Sequence, residues 1–283
     1  MTVAVANPPL HERSMPHPGA VAMAFLRRDW AISWSYRLPF ALGLLQTVLT
    51  LGFLYFLSRL VGPRIAVTDG ALRGGYFAYV VLGTTLLSLF SVNLTAFAQR
   101  LRTDQTTGTL EVLFTMPPRA SLVVLGSAAY QVTYALAVGA MTIGLAVGFG
   151  MRLHVSTASV GVALATLVAS LVLFAATGVA FAGFVVVFKR AETITAFASS
   201  ALSLLAGVYY PIRLMPHPLR VLAELLPFTW ALEAVRGALL GAELPLARLG
   251  ELSLAAVLLL IVALWLFSVA LDRARRSGTL GQY

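Results

Sequence analysis

Apolar residues arrive in this chain in blocks long enough to cross a bilayer, and that leaves few choices of fold. A hydrocarbon core takes about 20 residues of helix to span. Such blocks run from about Leu38 to Leu57, Tyr76 to Ala98, Leu122 to Gly148, Ala158 to Phe188, Thr193 to Tyr210 and Leu252 to Leu271. The fourth is longer than one crossing needs and is expected to tilt or to project past the bilayer. Charged residues make up only 11% of the 283, against about 25% in soluble domains. Mean hydropathy is +0.87. The expectation is an all-α polytopic membrane protein with six transmembrane helices.

Ahead of the first block, residues 1–19 are polar and proline-rich, and read as a flexible tail. Residues 20–37 differ, with apolar residues at helical spacing beside Arg27, Arg28, Trp30, Trp34 and Tyr36. That pattern predicts an amphipathic helix lying in the membrane interface. The first 20 residues lack an apolar signal-peptide core, so the first span is expected to act as an uncleaved insertion signal. The six-helix domain occupies 38–271, and 272–283 forms a second tail.

Six spans place both termini on one side. With the N terminus inside, 12 Lys or Arg fall on inside segments and eight on outside ones. The positive-inside rule then predicts cytoplasmic termini. The polar region 99–121 becomes cytoplasmic, and the mixed region 211–250 external. The net charge of +9 does not point to nucleic acid, because no basic run exceeds two adjacent residues. Contact with anionic lipid accounts for it better.

Catalytic signals are absent from the sequence. There is no cysteine, and His11, His17, His154 and His217 are scattered without metal-ligand spacing. No metal site and no catalytic residue are expected. No G-x-x-x-x-G-K-[ST] loop occurs, so the chain is not expected to bind ATP by such a loop. No acidic pair lies within a span, as a proton relay would often need. Gln46 and Asn93 are polar residues inside spans, and helix–helix hydrogen bonding is their plainer role. Energy for transport is therefore expected to enter from another subunit.

Two segments are candidates for function. In the cytoplasmic region, Thr106 or Thr107 can cap a short helix from Gly108 to Met116, stopped by Pro117–Pro118. Leu110, Leu113 and Phe114 share its apolar face, and Glu111 sits in an early turn where the helix dipole favours it. So short a helix is marginal alone and implies a docking surface. In the external region, a helix from about Thr229 to Leu240, capped by Thr229 and stopped by Gly241, follows a shorter one from Leu219 to Leu226. Neither is long enough to span, and Pro227 lies between them. The expectation is a hairpin dipping into the outer leaflet, with Glu233 and Arg236 pairing three residues apart.

Thr106–Gly126, "TTGTLEVLFTMPPRASLVVLG", resembles the cytoplasmic coupling region of ABC-2 type permeases, the membrane subunits of ABC exporters. Tyr209–Gly241 is similar to that family's external re-entrant hairpin before the last span. The resemblance implies that two permeases, identical or paralogous, pair with each other and bind two separate ATPase subunits. Those subunits would use ATP and Mg, while this chain binds no cofactor. On this chain it implies ATPase coupling through Gly108, Thr109, Leu110, Glu111, Phe114 and Pro117, with a second contact at the interface helix around Arg27 and Arg28. Gln105, Thr106 and Thr107 stand where many relatives carry charge. Pro227, Phe228, Trp230, Glu233 and Arg236 match the external motif.

Aromatic-lined paths in polysaccharide permeases make Phe53, Tyr55, Phe56, Tyr76, Phe77, Tyr79 and Phe90 candidate pathway residues, with Asn93. Packing or an aromatic belt is the plainer role of the rings. A hydrophobic small molecule or drug is the expected cargo, with a polysaccharide or lipid-linked glycan as the alternative. The competing classes are a secondary transporter and a membrane assembly subunit that moves nothing. The expected location is the cytoplasmic (inner) membrane.

Overall fold

The computed structural model describes residues 37–66, 75–106, 119–154, 156–188, 191–241 and 246–276. The interface helix with Arg27 and Arg28, both tails and residues 107–118 lie outside the described set, apart from Arg37 and the start of the second tail. Among the described residues the structure is helical: α1 (Arg37–Ala66), α2 (Gly75–Thr106), α3 (Arg119–Gly148), α4 (Thr157–Phe188), α5 (Ala191–Leu205), α6 (His217–Leu225), α7 (Pro227–Leu239) and α8 (Leu246–Arg276). A 3-10 turn, Ile212–Leu214, precedes α6.

Each of the six apolar blocks lies on a helix. Four helices are long and apolar enough to cross a membrane, through Ala41–Val61, Gly75–Leu94, Thr157–Phe181 and Leu246–Leu266. The apolar parts described in α3 and α5, Val132–Gly148 and Ala196–Leu205, are shorter. Several boundaries differ from the expectation. The expected loop from Arg59 to Gly75 is helical to Ala66, and α2 continues past Ala98 to Thr106. Polarity does not end a helix by itself, and these ends carry no strong breaker until their last turns. α5 stops at Leu205 rather than Tyr210, because Gly207 adopts φ +73° in the turn that follows.

The helices alternate in direction. Tyr79 Oη donates to the Gly207 carbonyl at 2.9 Å, and the Ser91 and Ser199 hydroxyls lie 3.0 Å apart. Numbers rise on α2 as they fall on α5, so the two are antiparallel. The Tyr55 ring meets Phe77 at 5.8 Å and Phe149 at 5.9 Å, while His154 N donates to Leu239 O at 2.8 Å. The end of α1, the start of α2, the α3–α4 connector, the turn after α5 and the end of α7 thus gather at one end of the bundle. The far ends of α2 and α3, joined by residues 107–118, lie at the other.

Small residues let the α4–α8 pair, the most extensive packing in the bundle, approach closely. Ser159, Thr166, Ala169 and Ser170 on α4 are buried, as are Leu252, Ala256 and Ala263 on α8. The hydroxyls on α4 do not compete for partners across the interface. Thr166 donates to Val162 O at 2.8 Å, and Ser170 to Thr166 O at 2.7 Å, each one turn back. α4 begins with a reciprocal cap: Ser159 N donates to Ser156 Oγ at 3.1 Å, and Ser156 N to Ser159 Oγ at 2.7 Å. Ser156→Ala is expected to lower stability by about 1 kcal/mol. Thermal unfolding of the purified protein measures this, and an unchanged midpoint would remove the cap from the account.

Candidate functional site

α6 and α7 are short helices on either side of the Leu226–Pro227 junction, as expected, and pack as a helical hairpin whose details are set by tertiary contacts. Pro227 is the first residue of α7, not only the stop of the helix before it. Proline suits that position because its missing N–H would have no intrahelical partner there. The helix therefore starts ahead of Thr229, which is not the cap. The cap position is Leu226, without a side-chain bond, and Thr229 Oγ1 is buried without a hydrogen-bond partner. Gly241, at φ +79°, follows the last turn as expected. Trp230 Nε1 donates to Glu224 O at 2.7 Å and ties the two helices across the proline.

The tip of the hairpin is deep. Phe228 packs on Phe90 of α2 (5.4 Å between centroids) and stacks on Phe174 of α4 (5.6 Å). Phe90 and Phe174 also meet edge to face at 5.3 Å. Both lie near the middle of their helices. From Tyr79, beside Arg236, to Phe90 is eleven residues of α2, or about 16 Å of rise. α7 therefore runs from mid-bundle to the bundle end, with Ala231, Leu232, Ala234 and Ala238 buried on it.

Arg236 is buried at the upper part of α7, and its guanidinium faces backbone. Nε and Nη2 donate to Tyr79 O at 3.2 and 2.9 Å. Nη2 also donates to Val208 O at 3.0 Å, and Nη1 to Gly207 O at 3.0 Å. Its carbon lies 3.4 Å from the centre of the Tyr79 ring, a cation–π contact. One side chain thus joins α7, α2 and the turn after α5. The planar fork of donors is what permits three acceptors at once. Burial lowers the Arg236 pKa to about 10, so the group stays charged at neutral pH.

The expected Glu233–Arg236 contact is replaced by another. Glu233 pairs with Arg248 at the start of α8, Oε2 to Nε 3.5 Å, and Arg248 Nη1 reaches Glu251 Oε2 at 2.9 Å. Helical spacing identifies neighbours on one helix. It does not see that Arg236 turns inward to α2 while Glu233 turns to α8. Burial raises the Glu233 pKa, with Arg248 and then Arg236 opposing that shift.

Gly83 makes room for the arginine, and Gly207 makes room for the turn whose carbonyls receive it. A Cβ on Gly83 would lie 2.6 Å from Arg236 Nη2 and 2.6 Å from Val208 O. A Cβ on Gly207 would lie 2.7 Å from Ile212 Cγ2. Sequence reasoning offers Tyr79 only as a path-lining ring and singles out none of Gly83, Gly207 and Arg248. The available signal is Arg236 itself, the basic group of a largely apolar helical run, which demands buried partners where it turns inward.

The other candidates separate into two environments. Phe53 and Phe56 are exposed on α1, at 66% and 72%. Tyr55 is half-buried and accepts from Arg59 Nη2 at 2.8 Å. Tyr76 and Asn93 are buried, and Asn93 Nδ2 donates to Leu89 O of its own helix at 2.8 Å. Gly108, Thr109, Leu110, Glu111, Phe114 and Pro117 lie outside the described residues. Among the described residues no three metal-ligating side chains gather.

A comparison with curated proteins finds no match. Residues 21–240 match the ABC-2 type transporter family, a stretch running from ahead of α1 through the whole of the α6–α7 hairpin. With its apolar helices and that match across more than half its length, the chain belongs to the ABC-2 type transporter family, as a multi-pass membrane permease that works with ABC ATPase subunits.

Proposed function

We propose that this permease forms the translocation path of an ATP-driven exporter, as a dimer with a second copy or a paralogue, and that two separate ATPase subunits drive it. The observation that carries this reading is the two-ended bundle. The buried hairpin sits at one end, and the helices joined by residues 107–118 extend to the other. Such a bundle can relay movement from a docking site to a gate because helices transmit displacement along their length.

In this reading the chain crosses the membrane six times, with α3 and α5 as the remaining spans. α5 has 15 residues, about 22 Å of helix, and its crossing is completed by the turn that Arg236 holds. The α6–α7 hairpin re-enters from the outside. Both termini are cytoplasmic and the bilayer is the inner membrane, a reading supported by the distribution of basic residues. Residues 108–116 form the coupling helix, with Arg27 and Arg28 at a second ATPase contact. ATP and Mg are used by the partner. In this reading the substrate is a hydrophobic small molecule.

Copurification with the products of neighbouring genes, followed by a screen for substrate-stimulated ATP hydrolysis, tests this directly. Glu111→Lys reverses the charge flanking the coupling helix. It is expected to reduce ATPase copurification by roughly tenfold, the effect of a lost or repelled charge contact. Membrane insertion should be unchanged. Normal ATPase association together with unchanged transport would sink the assigned role.

A further inference from the structure

α3 and α4 both pack on α2 but hardly on each other, and they leave a crevice of about 260 Å³ between them. Its floor includes Thr85 and Leu86 of α2, its α4 wall Ala163 and Leu164, and its closed end Leu153 and Leu239. Apart from Thr85 the lining is apolar, and the Thr85 hydroxyl oxygen is buried without a hydrogen-bond partner. Ordered water needs two to four polar partners, so this crevice is a poor water site. Its margins are apolar and exposed, with Leu164 58% exposed and Val160 38%. In a multi-pass membrane protein such a margin faces hydrocarbon.

We infer that this crevice binds one acyl chain of an anionic phospholipid, with the headgroup at the α3–α4 connector. The connector, Phe149–Ser156, carries Arg152 and His154 and no acidic residue. Arg152 is exposed at the end where the crevice closes on Leu153. One cation at that level attracts an anionic headgroup but gives a zwitterionic one no net attraction. The crevice follows α2 from Leu82 to Leu89, seven residues or about 10 Å, which matches the headgroup-proximal part of one chain. Its occupant also touches Val235 and Leu239 of α7, on the helix that carries Arg236. A bound lipid therefore packs against the hairpin helix itself, on residues that also pack on the core. This inference rests on the chain's place in a bilayer, not on the direction of transport.

The test uses the purified full chain with phosphatidylglycerol or phosphatidylcholine, each carrying a photoreactive group on the same acyl chain. Labelled positions are mapped by mass spectrometry. Phosphatidylglycerol is expected to label the crevice segments of α4 and α7 about fivefold more than phosphatidylcholine does. Arg152→Glu should abolish that preference. Ala163→Phe and, separately, Leu164→Trp should remove crevice labelling, while labelling of the exposed α8 face around Leu258 and Trp265 persists and reports a folded protein. Equal labelling by the two lipids in the unaltered chain overturns the inference. So does crevice labelling that survives in whichever filled variant keeps its α8 labelling.

Discussion

Arg236→Met is expected to be the most damaging single change in the described part of the chain. Methionine roughly matches the length of the aliphatic stem but donates nothing. The carbonyls of Tyr79 and Val208 would lose their Arg236 bonds, and Gly207 O would keep only the Tyr79 hydroxyl. Tyr79 O keeps its own helical bond, so only Val208 O is left stranded, at about 1–3 kcal/mol, and the bonds lost at the other two, being to a charged group, add about 1.5–3 kcal/mol each. Relief from burying a charge works in the other direction and offsets part of the loss. The acceptors are backbone groups that stay where they are, so the net loss is expected near 3 kcal/mol. Thermal unfolding reads it globally. Hydrogen exchange reads it locally, as faster exchange in α7 and in residues 206–211. Arg236→Lys is expected to recover less than half, because a point ammonium cannot reach three acceptors and lie flat on Tyr79. Wild-type exchange in the methionine variant would show that the hairpin is held by other means.

The second large effect is expected at Gly83. Gly83→Ala puts a methyl 2.6 Å from Val208 O, a backbone atom that cannot rotate away, and 2.6 Å from Arg236 Nη2. α2 and the turn after α5 must separate, and overpacking of this kind costs about 1–3 kcal/mol. Substrate transport should fall with it, because the hairpin loses its fixed distance from α2. Gly52→Ala is the control, since nothing lies within 4 Å of a Cβ there. That change is expected to be neutral or slightly stabilising. A double variant with Gly83→Ala and Arg236→Met should lose less than the sum of the two, because both act on one contact. Strict additivity would mean that the two residues do not share it.

The hydropathy pattern is strong because a membrane helix needs about 20 apolar residues in a row, whatever it packs against. For that reason the helices beneath all six blocks were legible, and so were the two short helices around Pro227. Contacts between helices were not. Glu233 and Arg236 stand at a spacing that favours a pair, yet α8 supplies Arg248 to the first and three carbonyls take the second. The side chain at Thr229 has the chemistry of a cap, but Pro227 fixes the helix start earlier. Arg236 falls within the region expected to be external, and the structure buries it in the bundle. A linear reading assigns polarity to a surface. Only the assembled bundle shows which polar group the interior has recruited.

The hold on the hairpin is lopsided in a way that bears on how this protein can diverge. Arg236 is specified by its side chain, but two of its three acceptors belong to Gly207 and Val208 as main chain, and the third is the main chain of Tyr79. Any residue offers a carbonyl. Substitution at position 208 can therefore leave the acceptor in place, and no compensating change at 236 is called for. Methods that find contacts from paired substitutions would pass over this junction. Its trace would be a solitary arginine beside two small positions, 83 and 207, kept open for steric reasons.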